Sequence, residues 1–188
     1  MGSAVGGQLN KAGYRVISCL DERSEYTQLK AREAGFLDVG PLEKMVSEAD
    51  LILSILDPGK AVIVAKKVEK LIYKIKKKIP FVDCNATSPA TALKLKEMIE
   101  GAGGIFIDVG IIGGAPTTQN NFPIFCTSGP HASLLDELDG KGMFIKLIGP
   151  QIGQGSAIKI CNGAFNKGAF ALYTSVMLAA EHFGFTDF

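Results

Sequence analysis

Short apolar segments recur along the chain and alternate with longer segments of mixed polarity. The apolar segments have the length of strands and are bounded by glycine, proline, serine or acidic residues, a pattern that predicts β-strands. The predicted strands are residues 16–20, 51–56, 81–84, 105–108, 123–127 and 144–148. The almost uninterrupted apolar run at 51–56 is typical of a strand that is covered on both faces.

The segments between these strands carry apolar residues at helical spacing. Val5 and Leu9 lie one turn apart and predict a helix at the start of the chain that ends near Gly13. The other predicted helices are residues 26–34, 42–49, 61–78, 89–101, 131–138 and 156–183. Regular alternation of strands and helices predicts an α/β fold of Rossmann type, with a doubly wound, mostly parallel sheet followed by one long helix.

Composition and charge narrow the class of protein. The 188 residues are 47% hydrophobic, with 22 glycines and no tryptophan, which fits a soluble α/β protein with many tight turns. A net charge of +1 provides no general attraction for nucleic acid or anionic lipid. The lysines of 66–78 line a helix with an apolar face, so we interpret them as a solvated surface. The longest apolar run, 168–180, is shorter than the ~20 residues that span a bilayer.

The cysteines and histidines predict no metal site. Cys19, Cys84, Cys126 and Cys161 are far apart in the sequence and lack zinc-type spacing. We interpret them as buried free thiols of a protein in a reducing compartment, which predicts a cytoplasmic location. The two histidines have no second ligand type at a useful distance along the chain.

The segment from Gly153 to Asn162 carries the strongest chemical signal. Gly153 and Gly155 open the long predicted helix, and Lys159 lies about one turn inside its otherwise apolar sequence. Two interpretations of Lys159 stay open. It is either a lysine that reaches solvent near the start of the helix or an amine with a catalytic role.

Five segments in register resemble the 3-hydroxyacid dehydrogenase and 6-phosphogluconate dehydrogenase superfamily. They cover almost the whole chain and are residues 1–16, 49–54, 81–83, Asp108 with Gly113 and Gly114, and 153–159. Residues 83–89 and 110–114 are most similar to the phosphogluconate-dehydrogenase-like branch with an uncharacterised C-terminal domain. The resemblance implies an NAD(P)-binding domain at 1–152 and, at 153–188, the start of a helical C-terminal domain.

The resemblance also implies a reaction and the residues that perform it. Such a protein transfers a hydride between a nicotinamide cofactor and a hydroxyacid or sugar-acid substrate, with Lys159 as general acid or base. Asn162 is the candidate to orient the substrate, although the family places its asparagine at the position that Gly163 occupies here. Gly113 and Gly114 are candidate substrate-binding residues. Ile112 precedes them where hydroxyacid dehydrogenases have a serine, which disfavours a small carboxylate-bearing substrate.

The cofactor residues implied by the resemblance lie in four segments. Met1 and Gly2 correspond to the end of the phosphate-binding loop at the start of the first helix. Arg23 and Ser24 follow the strand at 16–20, where an arginine and a small hydroxyl residue accommodate the extra phosphate of NADP. We therefore expect NADP in preference to NAD. The alternative for Arg23 and Ser24 is a solvated loop. Leu56, Asp57 and Pro58 follow a strand and are expected by the rule for this fold to pass over the dinucleotide. Asn85 is the candidate near the nicotinamide and the substrate, and its alternative is a turn residue after a strand.

Both ends of the chain bear on the interpretation. In the resembling family a strand and two further glycines precede the first helix, so the first strand of the sheet is expected to be missing here. A helical domain follows the long helix in that family and forms a homodimer. The alternative to an active oxidoreductase is a non-catalytic dinucleotide-binding module or an inactive fragment of such an enzyme.

Overall fold

The computed structural model describes residues 1–116 and 121–185, in which helices pack around a parallel sheet with one antiparallel pair. These residues contain six α-helices: α1 (Gly2–Lys11), α2 (Glu25–Glu33), α3 (Leu42–Glu48), α4 (Ala61–Ile75), α5 (Pro89–Gly101) and α6 (Gln154–His182). They also contain short 3₁₀ helices at Pro58–Lys60 and Ala132–Leu138. The α/β class predicted from the sequence is confirmed.

Seven strands form two separate sheets over the same residues. The strands are β1 (Ile17–Ser18), β2 (Leu37–Asp38), β3 (Ile52–Ser54), β4 (Pro80–Asp83), β5 (Ile105–Ile112), β6 (Ile124–Ser128) and β7 (Phe144–Gly149). β1 pairs with β2 in a small parallel sheet, and the main sheet has the order β3-β4-β5-β6-β7. Its pairs are parallel except β5 with β6, which is antiparallel.

Several predicted boundaries differ from those of the structure. β2 was not predicted, because it has only two residues, both exposed, and no apolar run marks it. β1 is shorter than the predicted 16–20, whereas β5 continues past Asp108 to Ile112. The lysine-rich helix α4 ends at Ile75, since Lys76 adopts the left-handed conformation that terminates a helix. The predicted helix at 131–138 is a 3₁₀ helix.

β5 lies at the centre of the hydrophobic core and contacts a different cluster on each face. Ile107, Val109 and Ile111 pack with Val5 and Leu9 of α1. Phe106 points to the opposite face, where it packs with residues of α4 and α5. Because side chains alternate along a strand, the residues that continue this second face are Asp108, Gly110 and Ile112.

A cavity of about 460 Å³ separates the two sheets. Ile17 and Ser18 of β1 line one side, and Ile52 and Leu53 of β3 line the other. Within the described residues β1 pairs with β2 alone and β3 with β4 alone, so each strand has an edge available for a further partner.

The cysteine prediction is partly wrong. Cys84 and Cys126 are buried free thiols, but Cys19 is half-buried and Cys161 is exposed on α6. Burial raises the pKa of the Cys84 thiol well above its ordinary value. Across residues 1–116 and 121–185, no group of three or more histidine, cysteine or acidic side chains could hold a metal ion. None of the helices in the same ranges is long and apolar enough to cross a membrane.

Candidate functional site

Four polar side chains form a row across the main sheet. The pairing of neighbouring strands places Ser54 beside Asp83, Asp83 beside Asp108, and Asp108 beside Ser128. All four residues are buried. Buried carboxylates require hydrogen-bond partners, and the partners of this row come from α6 and from the loop after β4. We call Ser54, Asp83, Asp108 and Ser128 the polar row.

Asp108 and Ser128 hold the first turn of α6 against the sheet. Oδ2 of Asp108 accepts hydrogen bonds from the amides of Gly153 (2.9 Å) and Ser156 (3.0 Å). Oδ1 accepts one from Oγ of Ser156 at 2.5 Å. Ser128 donates its hydroxyl to Oδ2 of Asp108 and accepts from the amide of Gly155. The amides at the start of α6, which no carbonyl within the helix can satisfy, are therefore bound by the sheet.

Two glycines allow this close approach of α6 to the sheet. A Cβ atom at Gly110 of β5 would overlap the carbonyl oxygen of Gly155 and lie 2.9 Å from Cβ of Lys159. A Cβ atom at Gly155 would lie 2.5 Å from the carbonyl oxygen of Cys126 and 2.9 Å from that of Asp108. A side chain at either position would therefore displace α6 from the sheet.

Lys159 lies directly over the centre of β5. Its Cβ atom faces Gly110, and the residue is half-buried. The charges of Lys146 and Lys159 oppose the rise in the pKa of the Cys126 thiol that burial causes. Within the described parts of the chain no ion pair or hydrogen bond engages the Lys159 ammonium, so it is available to a ligand.

Asn85 connects the polar row to the loop after β3. The side-chain amide of Asn85 donates to Oδ1 of Asp83 (2.5 Å) and to Oγ of Ser54 (3.1 Å). Its carbonyl oxygen accepts a hydrogen bond from the amide of Leu56 at 2.7 Å. Asn85 is buried, and its hydrogen bonds fix the loops after β3 and β4 relative to each other.

Asp83 has an unusual titration behaviour. Burial raises the pKa of its carboxyl group to about 6, and the nearby Asp108 charge acts in the same direction. Hydrogen bonds from Asn85 and Thr87 oppose this rise. Asp83 therefore changes its charge close to neutral pH, directly beside the carboxylate that holds α6.

The start of α1 adjoins the same loop after β3. α1 begins at Gly2, and its N-cap residue, Met1, has no side-chain hydrogen bond to the helix. A Cβ atom at Gly2 would lie 3.3 Å from the carbonyl oxygen of Ile55, so this position suits glycine. The structure thus brings Met1 and Gly2 next to the segment that leads into Leu56.

Other predicted residues make mainly local contacts. Ser24 caps α2 by accepting from the amide of Thr27, and Arg23 is exposed in the preceding turn. Asp57 caps the 3₁₀ helix that starts at Pro58 through a hydrogen bond from the amide of Gly59. The contacts of Ser24 and Asp57 are thus local to their turns and leave the Arg23 side chain free to contact a ligand.

Ile112, Gly113, Gly114 and Asn162 lie at the end of β5 and in the third turn of α6. Ile112 is the last residue of β5, and Gly113 and Gly114 follow it at the surface. Asn162 is half-buried on α6, where its side-chain oxygen accepts a hydrogen bond from Asn166 at 3.1 Å. Within the described residues no hydrogen bond joins the side chains of Asn162 and Lys159.

The sequence did not predict the roles of Asp108, Ser128 and Ser156 in holding α6. It also did not predict that Gly110 and Gly155 allow the close approach of α6 to the sheet. A signal was present for Asp108, because a carboxylate inside an apolar strand must find partners. Ser128 and Ser156 carry no such signal, since their position depends on which strands are neighbours.

Comparison with known proteins agrees with this architecture. Residues 1–136 match the NAD binding domain of 6-phosphogluconate dehydrogenase. A Methanothermus fervidus protein, named as an uncharacterized 28.5 kDa protein in the 7S RNA 5′ region, is 30% identical over 96% of this chain and 67% of its own length. The mitochondrial 3-hydroxyisobutyrate dehydrogenase of Mus musculus is 25% identical over 86% of this chain.

A solved structure adds a likeness of fold. It belongs to a conserved protein of unknown function described as similar to 3-hydroxyacid dehydrogenases, and it superposes with a TM-score of 0.81 at 26% identity. The superposition covers 97% of this chain and 67% of that one. The chain spans 49% of the length of the mouse dehydrogenase.

The α/β architecture and the match over most of the chain define a dinucleotide-binding protein of the Rossmann class. Within that class the chain belongs to the family of NAD-binding domains of 6-phosphogluconate dehydrogenase. The resemblance deduced from five segments of the sequence is thereby confirmed.

Proposed function

We propose that this chain is the cofactor-binding and proton-transferring part of an NAD(P)-dependent oxidoreductase acting on a hydroxyacid or sugar acid. One observation carries the proposal. Lys159 is held over β5 by the close contact of Gly110 with α6, and its ammonium has no partner in the described residues.

The residues at the start of α1 fit a dinucleotide. The first amides of a helix lack intrahelical acceptors and favour anions such as a pyrophosphate. Within the described residues no side chain caps α1, and Gly2 lies close to the loop after β3. Met1 and Gly2 would hold the phosphates, with Leu56, Asp57, Pro58 and Asn85 forming the wall beside them.

The chain contributes orientation and a proton acceptor to the reaction. When bound, the nicotinamide ring supplies the site that accepts or donates the hydride. As the substrate is oxidised, the neutral amine of Lys159 takes the hydroxyl proton at Nζ and becomes an ammonium, and in the opposite direction the ammonium returns that proton to the substrate oxygen. Gly113 and Gly114 offer backbone amides at the end of β5, and Asn162 orients the substrate if its contact with Asn166 opens.

Replacement of Lys159 tests its role directly. A panel of hydroxyacids and sugar acids is assayed with both cofactors, and nicotinamide fluorescence measures cofactor binding. Lys159→Ala is expected to lower turnover at least ~100-fold while leaving cofactor affinity within about twofold, because general acid–base catalysis contributes that much. Lys167→Ala, an exposed lysine on the same helix, is the control. Equal loss of turnover and binding would contradict the assigned role.

Arg23 and Ser24 favour NADP as the cofactor. Arg23 is exposed at the end of the turn after β1, and a charged hydrogen bond to the extra phosphate contributes about 1.5–3 kcal/mol. Arg23→Ala is therefore expected to weaken NADPH binding at least ~10-fold without changing NADH binding. Arg32→Ala, an exposed arginine on α2, serves as the control. Equal binding of both cofactors by the unmodified chain would contradict this preference.

A non-catalytic dinucleotide-binding module is the second candidate function. Ile112 cannot donate a hydrogen bond to a substrate, and the side-chain oxygen of Asn162 is already engaged by Asn166. The test uses this chain fused to the C-terminal part of one of its relatives. If this protein binds the cofactor tightly but turns over no substrate in the panel, the result supports the alternative.

The wider assignments stay predictions. These are the domain boundary between residues 152 and 153, a homodimer formed with a helical C-terminal domain, and a cytoplasmic location.

A further inference from the structure

We propose that Asp108 is a positioning residue, which sets where α6 begins on the sheet and thereby where Lys159 stands over β5. The inference rests on the proposed function for its catalytic meaning, but its geometric content can be tested without turnover. Asp108 itself touches neither cofactor nor substrate in this proposal.

The first argument is the direction of the hydrogen bonds. Asp108 accepts from two backbone amides of α6, those of Gly153 and Ser156, and from the hydroxyl of Ser156. A helix cap usually comes from the residue that precedes the helix, but Gly153 has no side chain to provide one. The cap of α6 therefore comes from a strand 45 residues earlier in the chain.

The second argument is that the cap and the lysine share one strand face. Asp108 and Gly110 are alternate residues of β5, so both face α6. Ser156 and Lys159 are three residues apart, so they lie on the same side of α6. The contact of Asp108 with Ser156 and the contact of Gly110 with Lys159 are thus consecutive steps of one helix–strand interface. A helix that lost the first contact would be free to shift at the second.

The third argument is chemical specificity. Every partner of Asp108 donates a hydrogen bond to it, including Ser128 at 2.8 Å. Asparagine has nearly the same shape, but an NH2 group replaces one of the two carboxylate oxygens. This NH2 group cannot accept the hydrogen bonds that the replaced oxygen accepts. Asp108→Asn therefore removes capping contacts with little change in volume, and Ser156→Ala removes only the hydroxyl contact.

The test uses the full chain and reads position by NMR. An NOE between Hα of Gly110 and Hβ of Lys159 is expected in the unmodified protein, since those groups are in contact. Asp108→Asn is expected to weaken this NOE strongly and to accelerate hydrogen exchange at the amides of Gly155 and Ser156 about tenfold or more. Ser156→Ala is expected to show a smaller effect in the same direction. It also keeps the test decisive if Asp108→Asn fails to fold.

The matched control is Ser88→Ala, which removes the side-chain cap of α5. It lowers stability but leaves the NOE between Gly110 and Lys159 intact. Unchanged NOE and exchange rates in folded Asp108→Asn, or in Ser156→Ala where the former does not fold, would overturn the proposal.

Activity separates this inference from the proposed function. If the enzyme is active, Asp108→Asn is expected to lower kcat about tenfold or more with unchanged cofactor affinity, while Ser88→Ala leaves kcat unchanged. If the unmodified protein shows no turnover but the NOE weakens in Asp108→Asn, the positioning role stands and the proposed catalytic function of Lys159 falls.

Discussion

At the scale of single residues, the two neighbouring aspartates of the polar row have different environments. Asp108 is surrounded by donors from α6 and Ser128. Asp83 has two side-chain donors, Asn85 and Thr87. Two carboxylates side by side in a buried sheet repel each other, and this repulsion adds to the effect of burial on Asp83.

The raised pKa of Asp83 predicts a pH dependence of stability. Its carboxyl group has a pKa of about 6 in the folded protein, against 3.8 ordinarily. The folded state therefore favours the protonated form, so the stability from Asp83 is complete below about pH 4 and is lost as the pH rises through about 6. The loss is of the order of 2–3 kcal/mol.

Urea unfolding between pH 4 and 8 measures this contribution. Asp83→Asn, which is neutral throughout, is expected to lack that part of the pH dependence, whereas Asp136→Asn, at an exposed position, keeps it. An identical pH dependence in Asp83→Asn and the unmodified protein would show that Asp83 does not titrate in this range.

Gly110 provides a second prediction at the residue scale. Gly110→Ala introduces a Cβ atom into the space of the Gly155 carbonyl and next to Cβ of Lys159. We expect a loss of about 1–3 kcal/mol in the free energy of unfolding, as for other overpacked positions. Gly168→Ala, in an open part of α6, is expected to be neutral or to stabilise the helix by up to ~1 kcal/mol. Chemical unfolding checks both, and equal effects would contradict the close-contact argument.

At the scale of elements, the hydrogen bonds of Asn85 predict a link between loop structure and cofactor binding. Asn85→Ala breaks its contacts with Asp83, Ser54 and the amide of Leu56. The expected results are about 1–3 kcal/mol lower stability and at least ~10-fold weaker NADPH binding, because the loops proposed to lie beside the phosphates lose the hydrogen bonds that fix them.

Asn10→Ala is the matched control for this variant. Asn10 is another bridging amide, bound to the carbonyls of Ala34 and Gly35 near the far end of α1. Asn10→Ala is expected to lower the stability of the protein without weakening cofactor binding. Thermal unfolding measures the stability of both variants, and fluorescence titration of the folded proteins measures their affinity for NADPH. An NADPH affinity of Asn85→Ala equal to that of the unmodified protein would show that this loop is not part of the cofactor site.

The sequence predicted elements better than it predicted the contacts between them. α5 was found with its observed bounds, because Ser88 and Pro89 are a strong helix start and glycines follow its end. β2 was missed, since Leu37 is 50% exposed and no apolar pattern surrounds it. The polar row and the position of α6 on the sheet depend on which strands are neighbours and on their register. These are tertiary properties that local sequence patterns do not contain.

At the scale of the whole molecule, α6 leaves a large apolar surface uncovered. Large side chains along the helix are 57–74% exposed, and they are Phe165, Phe170, Leu172, Tyr173, Val176 and Leu178. An apolar patch of this extent favours association. We expect the chain to self-associate with increasing concentration, which sedimentation velocity measures.

Substitution on α6 checks which surface is responsible. Phe170→Glu is expected to shift the protein toward monomer, whereas Tyr73→Glu, on the exposed face of α4 (74% exposed), leaves association unchanged. A chain that stays monomeric at all concentrations would contradict the prediction.

The hydrogen bonds between α6 and the sheet have a consequence for the order of folding. These hydrogen bonds join residues 27 to 48 positions apart, whereas β4, α5 and β5 follow one another directly in the chain. Closing longer loops costs more entropy, so pulsed hydrogen exchange during refolding is expected to protect β4 and β5 before Gly155 and Ser156. Simultaneous protection would contradict this order. A folding chain then builds the loop that carries Asn85 first and places the helix that carries Lys159 on the sheet last.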